Sequence, residues 1–131
     1  ESALQTANEA LQTDSTNVLF LFAKSIVLLN IGKSDECIRV SERIIHINDT
    51  LPLPYYNLGT ALLNKTVVLE KDIRKNKKQI TALYREALPY MEKFRALAPD
   101  EKNKWAPALY RIYLNLNMGK QFDEIDKIIN N

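Results

Sequence analysis

The sequence predicts an all-α fold built from antiparallel helical hairpins. Three observations carry that prediction. The chain has 131 residues, 46% of them hydrophobic and 26% charged, with only 3 Gly, a composition that suits packed helices. Apolar residues recur at helical spacing, and neither Gly nor Pro interrupts residues 60–88. The chain also matches itself at an offset of 34: Leu21 falls on Tyr55, Lys24 on Leu58, Ser25 on Gly59 and Leu28 on Leu62. Such a period marks stacked supersecondary units, each unable to bury its apolar face alone.

The elements follow in order. A first helix is expected over residues 3–12, because Ala3, Ala7 and Ala10 align with Cys37, Ser41 and Ile44 at the same offset of 34. A second runs over 18–30, with Thr16 or Asn17 as N-cap. Gly32 suits a left-handed C-cap. A third helix covers 35–47, and its start suits Ser34 and the acids beside it. Pro52 and Pro54 then mark a connector, and a fourth helix begins near Pro54. A sixth starts near Asn103, with Trp105 and Pro107 in its first turn, and a seventh covers 121–130 with Phe122, Ile125, Ile128 and Ile129 on one face.

The fifth helix poses the main question. Gly59 and Ala87 are 28 residues apart, whereas the corresponding Ser25 and Cys37 are 12 apart, an excess of 16. Thr66, Leu69 and Ile73 continue the apolar phase, and Ile80, Leu83 and Tyr84 resume it. The middle hairpin is therefore expected to be elongated around residues 66–82. Each helix gains about eight residues, or roughly 12 Å. Its turn is expected at residues 75–78, Ile73 and Ile80 should pack near the tip, and Pro89 should kink the returning helix.

The repeat resembles the tetratricopeptide pattern. The best-matched residues are Gly59 with Tyr55 and Leu58, then Gly32, Ala87, Phe94 and Pro99. The last third is also similar in texture to cell-envelope tetratricopeptide proteins of Bacteroidetes-type bacteria. The pattern has departures: the first two repeats lack Trp at the first aromatic position, Ser25 replaces Gly, and Asp49 stands in the role of Pro99. The resemblance implies a right-handed superhelix of about seven helices forming one domain. Residues 1–16 would be the second helix of a partial repeat, 17–51 and 52–101 two repeats, and 102–131 a terminal one. The chain would thus begin mid-repeat, and since it opens at Glu1 rather than Met, any targeting signal lies outside it. Periplasm or cell envelope is the expectation that the resemblance alone supports.

The resemblance also implies a concave groove lined by the first helix of each hairpin. Its inner positions would be Leu19, Phe22, Ile26, Leu29 and Asn30, then Leu53, Tyr56, Thr60, Leu63 and Asn64, then Asn103, Ala106, Tyr110, Tyr113 and Leu114. Aromatics and Asn on such a face suit a peptide or partner helix. The bland alternative is that they cover neighbouring helices. The carboxylate clamp of chaperone-tail binders would fall on Phe22, Ile26, Asn57, Asn103 and Pro107, where Asn57 alone has the residue type required.

Other chemistry is thinly represented. The formal charge of +2 demands neither nucleic acid nor acidic membrane. Lys71, Arg74, Lys75, Lys77 and Lys78 against Asp72 form a basic tip on the long hairpin. It reads as a site for an anionic partner or lipid surface, or as a solvated tip whose Arg74 and Lys75 favour a helix C-terminus. No aromatic is interleaved there, so nucleic-acid stacking is unsupported. His46, the single His, reads as a surface or dipole partner. Cys37, the single Cys, reads as a buried apolar residue. The pairs Asp35–Glu36 and Asp123–Glu124 sit at helix starts. No catalytic set, cofactor or metal is implied, and no apolar run spans a bilayer. The expected function is a non-enzymatic module that binds a protein or peptide in the groove. The alternative is a structural fragment of a longer solenoid, self-associating through its first helix. An enzyme would need a catalytic domain outside this chain.

Overall fold

The computed structural model describes residues 3–5 and 17–130. Residues 3–5 are helical, and the rest of the expected first helix lies outside the described residues. Beyond them come six α-helices: α1 Val18–Asn30, α2 Ser34–Ile47, α3 Pro52–Leu69, α4 Ile73–Leu97, α5 Lys102–Asn115 and α6 Gly119–Asn130. There is no strand among the described residues.

Local chemistry sets the helix ends. Asn17 caps α1, its Oδ1 accepting from the backbone N–H of Leu19 and Phe20. The turn after α1 has Gly32 at φ 81°, with Lys33 N–H donating to the Leu28 carbonyl and Gly32 N–H to that of Leu29. These two bonds define a Schellman ending. The turn after α5 repeats it with Asn117 at φ 56°: Met118 N–H donates to the Tyr113 carbonyl and Asn117 N–H to that of Leu114. Pro52 and Pro54 occupy the first turn of α3, where a missing N–H costs nothing.

Helices pack on their chain neighbours: α1 on α2, α2 on α3, α3 on α4, α4 on α5 and α5 on α6, with α1 also touching α3. The main core joins Tyr55, Leu58 and Leu62 of α3 to Tyr84, Met91 and Phe94 of α4 and to Trp105, Leu109 and Ile112 of α5. A smaller cluster of Leu28, Cys37 and Ala61 is touched by Leu4. Buried positions of α2 recur in α4 at an offset of 50: Cys37 with Ala87, Ser41 with Met91, and Ile44 with Phe94. That offset is the 34-residue period lengthened by the 16-residue excess. A hydrogen bond repeats with it. Tyr55 OH donates to the Asp49 carbonyl at 2.8 Å, and Trp105 Nε1–H donates to the Pro99 carbonyl at 3.2 Å. Each ties the first turn of its helix to the connector before it.

Gly59 is buried against Met91: a Cβ there would lie 2.9 Å from the Met91 methyl and 3.9 Å from the Ala87 carbonyl oxygen. The glycine therefore makes room for the end of a flexible side chain more than for a backbone.

The middle hairpin is elongated, but not as the sequence suggests. Helix α3 has 18 residues against 13 in α1, and α4 has 25 against 14 in α2. The excess therefore splits five and eleven rather than evenly. The turn is the 3-10 segment Glu70–Asp72, not residues 75–78. Asp72 ends it, at φ −136° and ψ 81°, and its Oδ1 accepts from Lys75 N–H at 3.3 Å. Asn76 Nδ2 donates to the Leu69 carbonyl at 3.0 Å and holds the two helix ends together. No left-handed residue is needed, so the turn carries neither Gly nor Pro. Ile80 is buried as expected, but Ile73 is 60% exposed. Pro89 lies inside α4 on its exposed side and leaves the Arg85 carbonyl without a helix donor.

Candidate functional site

The residues expected to line one groove part company. Leu19 is 71% exposed on α1. With Val18 and Phe22 it faces Leu51, Pro52, Leu53 and Pro54 at the start of α3 across a cleft of about 340 Å³. The lining is wholly apolar. Two features build it: the Asn17 cap starts α1 beside α3, and the two prolines hold the entry to α3 in place. Ile26 and Asn30 continue along α1 as exposed residues, and Thr60 on α3 is half-buried.

The tyrosines behave differently. Tyr113 is core, 3% exposed, and its OH donates to Glu92 Oε2 at 2.7 Å. Burial first, then the bond to Glu92 and its charge, push the Tyr113 phenol well above the usual tyrosine range, against an opposing pull from Arg95. Tyr56 is half-buried, its ring 5.0 Å from Phe94, with Lys104 Nζ 5.8 Å from its centroid. Tyr110 is half-buried against Phe122, centroids 4.7 Å apart. Tyr113 is therefore part of the core and not open to a groove as expected, while Tyr56 and Tyr110 are half-buried, each with its ring against a neighbouring helix. Leu63 and Ala106 are buried too. Asn57 is also buried and donates to Ser25 Oγ at 3.4 Å.

Asn64 belongs to a second, open depression of about 1160 Å³ beneath the long hairpin. Its walls are the start of α2, with Asp35 and Arg39, and the overhang, with Val67, Val68 and Leu83. Lys65 Nζ closes one side at 2.7 Å from Asp35 Oδ1, and this bond holds the Asp35 carboxyl below its usual range.

A polar cluster that sequence reasoning missed lies on the hairpin. Arg111 Nε donates to Tyr84 OH at 2.9 Å, and its Nη2 donates to Thr66 Oγ1 at 2.6 Å and Glu70 Oε1 at 3.2 Å. Tyr84 OH donates onward to Glu70 Oε2 at 2.9 Å, and Thr66 Oγ1 to the Leu63 carbonyl at 2.6 Å. The cluster ties α3, the 3-10 turn and α4 to α5. An Arg set between buried Leu109 and Ile112 was the available signal, but its partners lie 27 to 48 residues away.

No protein-family model, curated protein or solved structure matches the chain.

Cys37 is buried, and burial raises its thiol above the usual range, with Ser41 opposing. His46 is exposed in the last turn of α2. The described residues contain no grouping of His, Cys, Asp and Glu that could hold a metal. They also contain no helix long and apolar enough to cross a membrane. Arg74, Lys75, Lys77 and Lys78 are exposed in the first two turns of α4, not in the turn before it. Arg74 and Lys75, in the first turn, therefore sit at the positive end of the helix dipole, which disfavours cations, and the dipole does not account for them.

Proposed function

We propose that the chain is a tetratricopeptide-type solenoid segment acting as a non-enzymatic module, and that it binds an extended peptide through the cleft between α1 and α3. The repeat reading is supported by chain-neighbour packing, the 50-residue recurrence of buried positions, and the paired Tyr55 and Trp105 hydrogen bonds. In a right-handed superhelix of such hairpins, α1, α3 and α5 would form the inner layer.

The observation that carries the binding reading is the apolar cleft of Leu19, Phe22 and Leu53. Leu19, 71% exposed, stands at its edge. A cleft of that size takes one large aliphatic or aromatic side chain of a peptide, and the exposed Ile26 and Asn30 extend the contact along α1.

Selection from a random peptide library on the immobilised chain tests the reading. Enriched peptides should carry an apolar anchor, and Leu19→Asp with Leu53→Asp should weaken them by at least about tenfold, the worth of one buried apolar anchor, with the far-ultraviolet dichroism unchanged. Equal binding by parent and variant would sink the groove.

A further inference from the structure

The tip of the long hairpin combines two features that folding does not explain. The first is charge. Lys71, Arg74, Lys75, Lys77 and Lys78 are all exposed, and none makes an ion pair among the described residues. Within residues 66–84 the carboxylates are Glu70 and Asp72. Both are occupied: Glu70 by Arg111 and Tyr84, and Asp72 by the Lys75 N–H. Arg74 and Lys75 even oppose the α4 dipole. The second feature is apolar exposure in the same place. Val67 is 51%, Val68 65% and Ile73 60% exposed. Val68 and Ile73 flank the 3-10 turn between the two helices.

We propose that this tip docks on the surface of a bilayer containing anionic phospholipid. Five exposed cations with no ion pair among the described residues complement a sheet of phosphate and carboxylate headgroups. Ile73, 60% exposed beside the turn, can enter the headgroup–acyl boundary, whereas Val67 and Val68 wall the depression shared with α2. A nucleic acid would account for the cations but not for the exposed Ile73, and the only aromatic within residues 66–84, Tyr84, is buried and not available for base stacking. The site is separate from the α1–α3 cleft and shares no residue with it.

Vesicle flotation with the whole chain tests the proposal. Vesicles of phosphatidylcholine with about one-third phosphatidylserine should carry the chain at low salt and release it as salt screens the charges. Pure phosphatidylcholine vesicles should not. Substituting Arg74→Gln, Lys75→Gln and Lys78→Gln together should weaken partitioning by on the order of 100-fold, at about fivefold per cation. Ile73→Ser should weaken it by about tenfold and leave the salt dependence intact. The triple variant should melt no lower than the parent, because two of the three lost charges sit at the positive end of α4. That keeps a loss of binding distinct from a loss of fold. Absence of flotation at low salt, or equal flotation on neutral vesicles, would overturn the proposal. So would salt-sensitive binding to a short DNA duplex with none to vesicles.

Discussion

Tyr113 shows how one side chain can change role once its neighbours are placed. Its ring fills the core between α4 and α5 while its hydroxyl reaches Glu92. A phenol whose folded pKa is raised contributes stability that is fully present below the unfolded value, near 10, and is lost as pH rises through the folded one. Unfolding free energy should therefore fall as pH climbs above about 10, with Tyr55 and Tyr90 adding to the slope because burial raises both. Denaturant titrations of Tyr113→Phe should show a loss of about 1 kcal/mol at neutral pH, with a shallower alkaline decline than the parent. An identical decline would mean that Tyr113 does not retain its proton.

At the scale of elements, the long hairpin stands out because it is braced rather than free. Arg111 reaches from α5 to α3, to the 3-10 turn and, through Tyr84, to α4. Its planar fork makes bonds in two directions that an ammonium cannot reproduce. Arg111→Met should cost about 1–3 kcal/mol, because it strips donors from a partly buried carboxylate and hydroxyl. Arg111→Lys should recover less than half of that loss. Chemical denaturation of the three proteins decides the matter: full rescue by Lys would reduce the cluster to a simple charge pair. The same bracing explains why the turn escaped sequence reading. Its residues are nearly all right-handed, and side chains rather than glycine close it, through Asp72 and Asn76.

For the whole molecule, helices that pack on chain neighbours should open from the ends inward. Helix α6 buries Ile125 alone, whereas α4 buries Ile80, Tyr84, Ala87, Met91 and Phe94. Amide hydrogen exchange should therefore release α6 well before the centre of α4, with α3 among the last. Simultaneous exchange of α6 and α4 would instead indicate a single cooperative unit.

Much of the architecture was legible in the sequence. Helical phase, Gly32, the Asn17 cap and the 34-residue recurrence report interactions within a turn or between equivalent turns, and these depend on local chemistry and period. The 16-residue excess was legible for the same reason. How it divides was not, because a turn made without glycine or proline leaves no mark. Nor could the sequence tell that Tyr113 would be buried against Glu92, or that Phe94 and Phe122 would half-cover Tyr56 and Tyr110, while Leu19 stayed exposed beside Leu53. Periodicity says which residues share a face. Which part of that face the next helix covers depends on crossing and offset between helices far apart in the chain, and only the tertiary structure decided that.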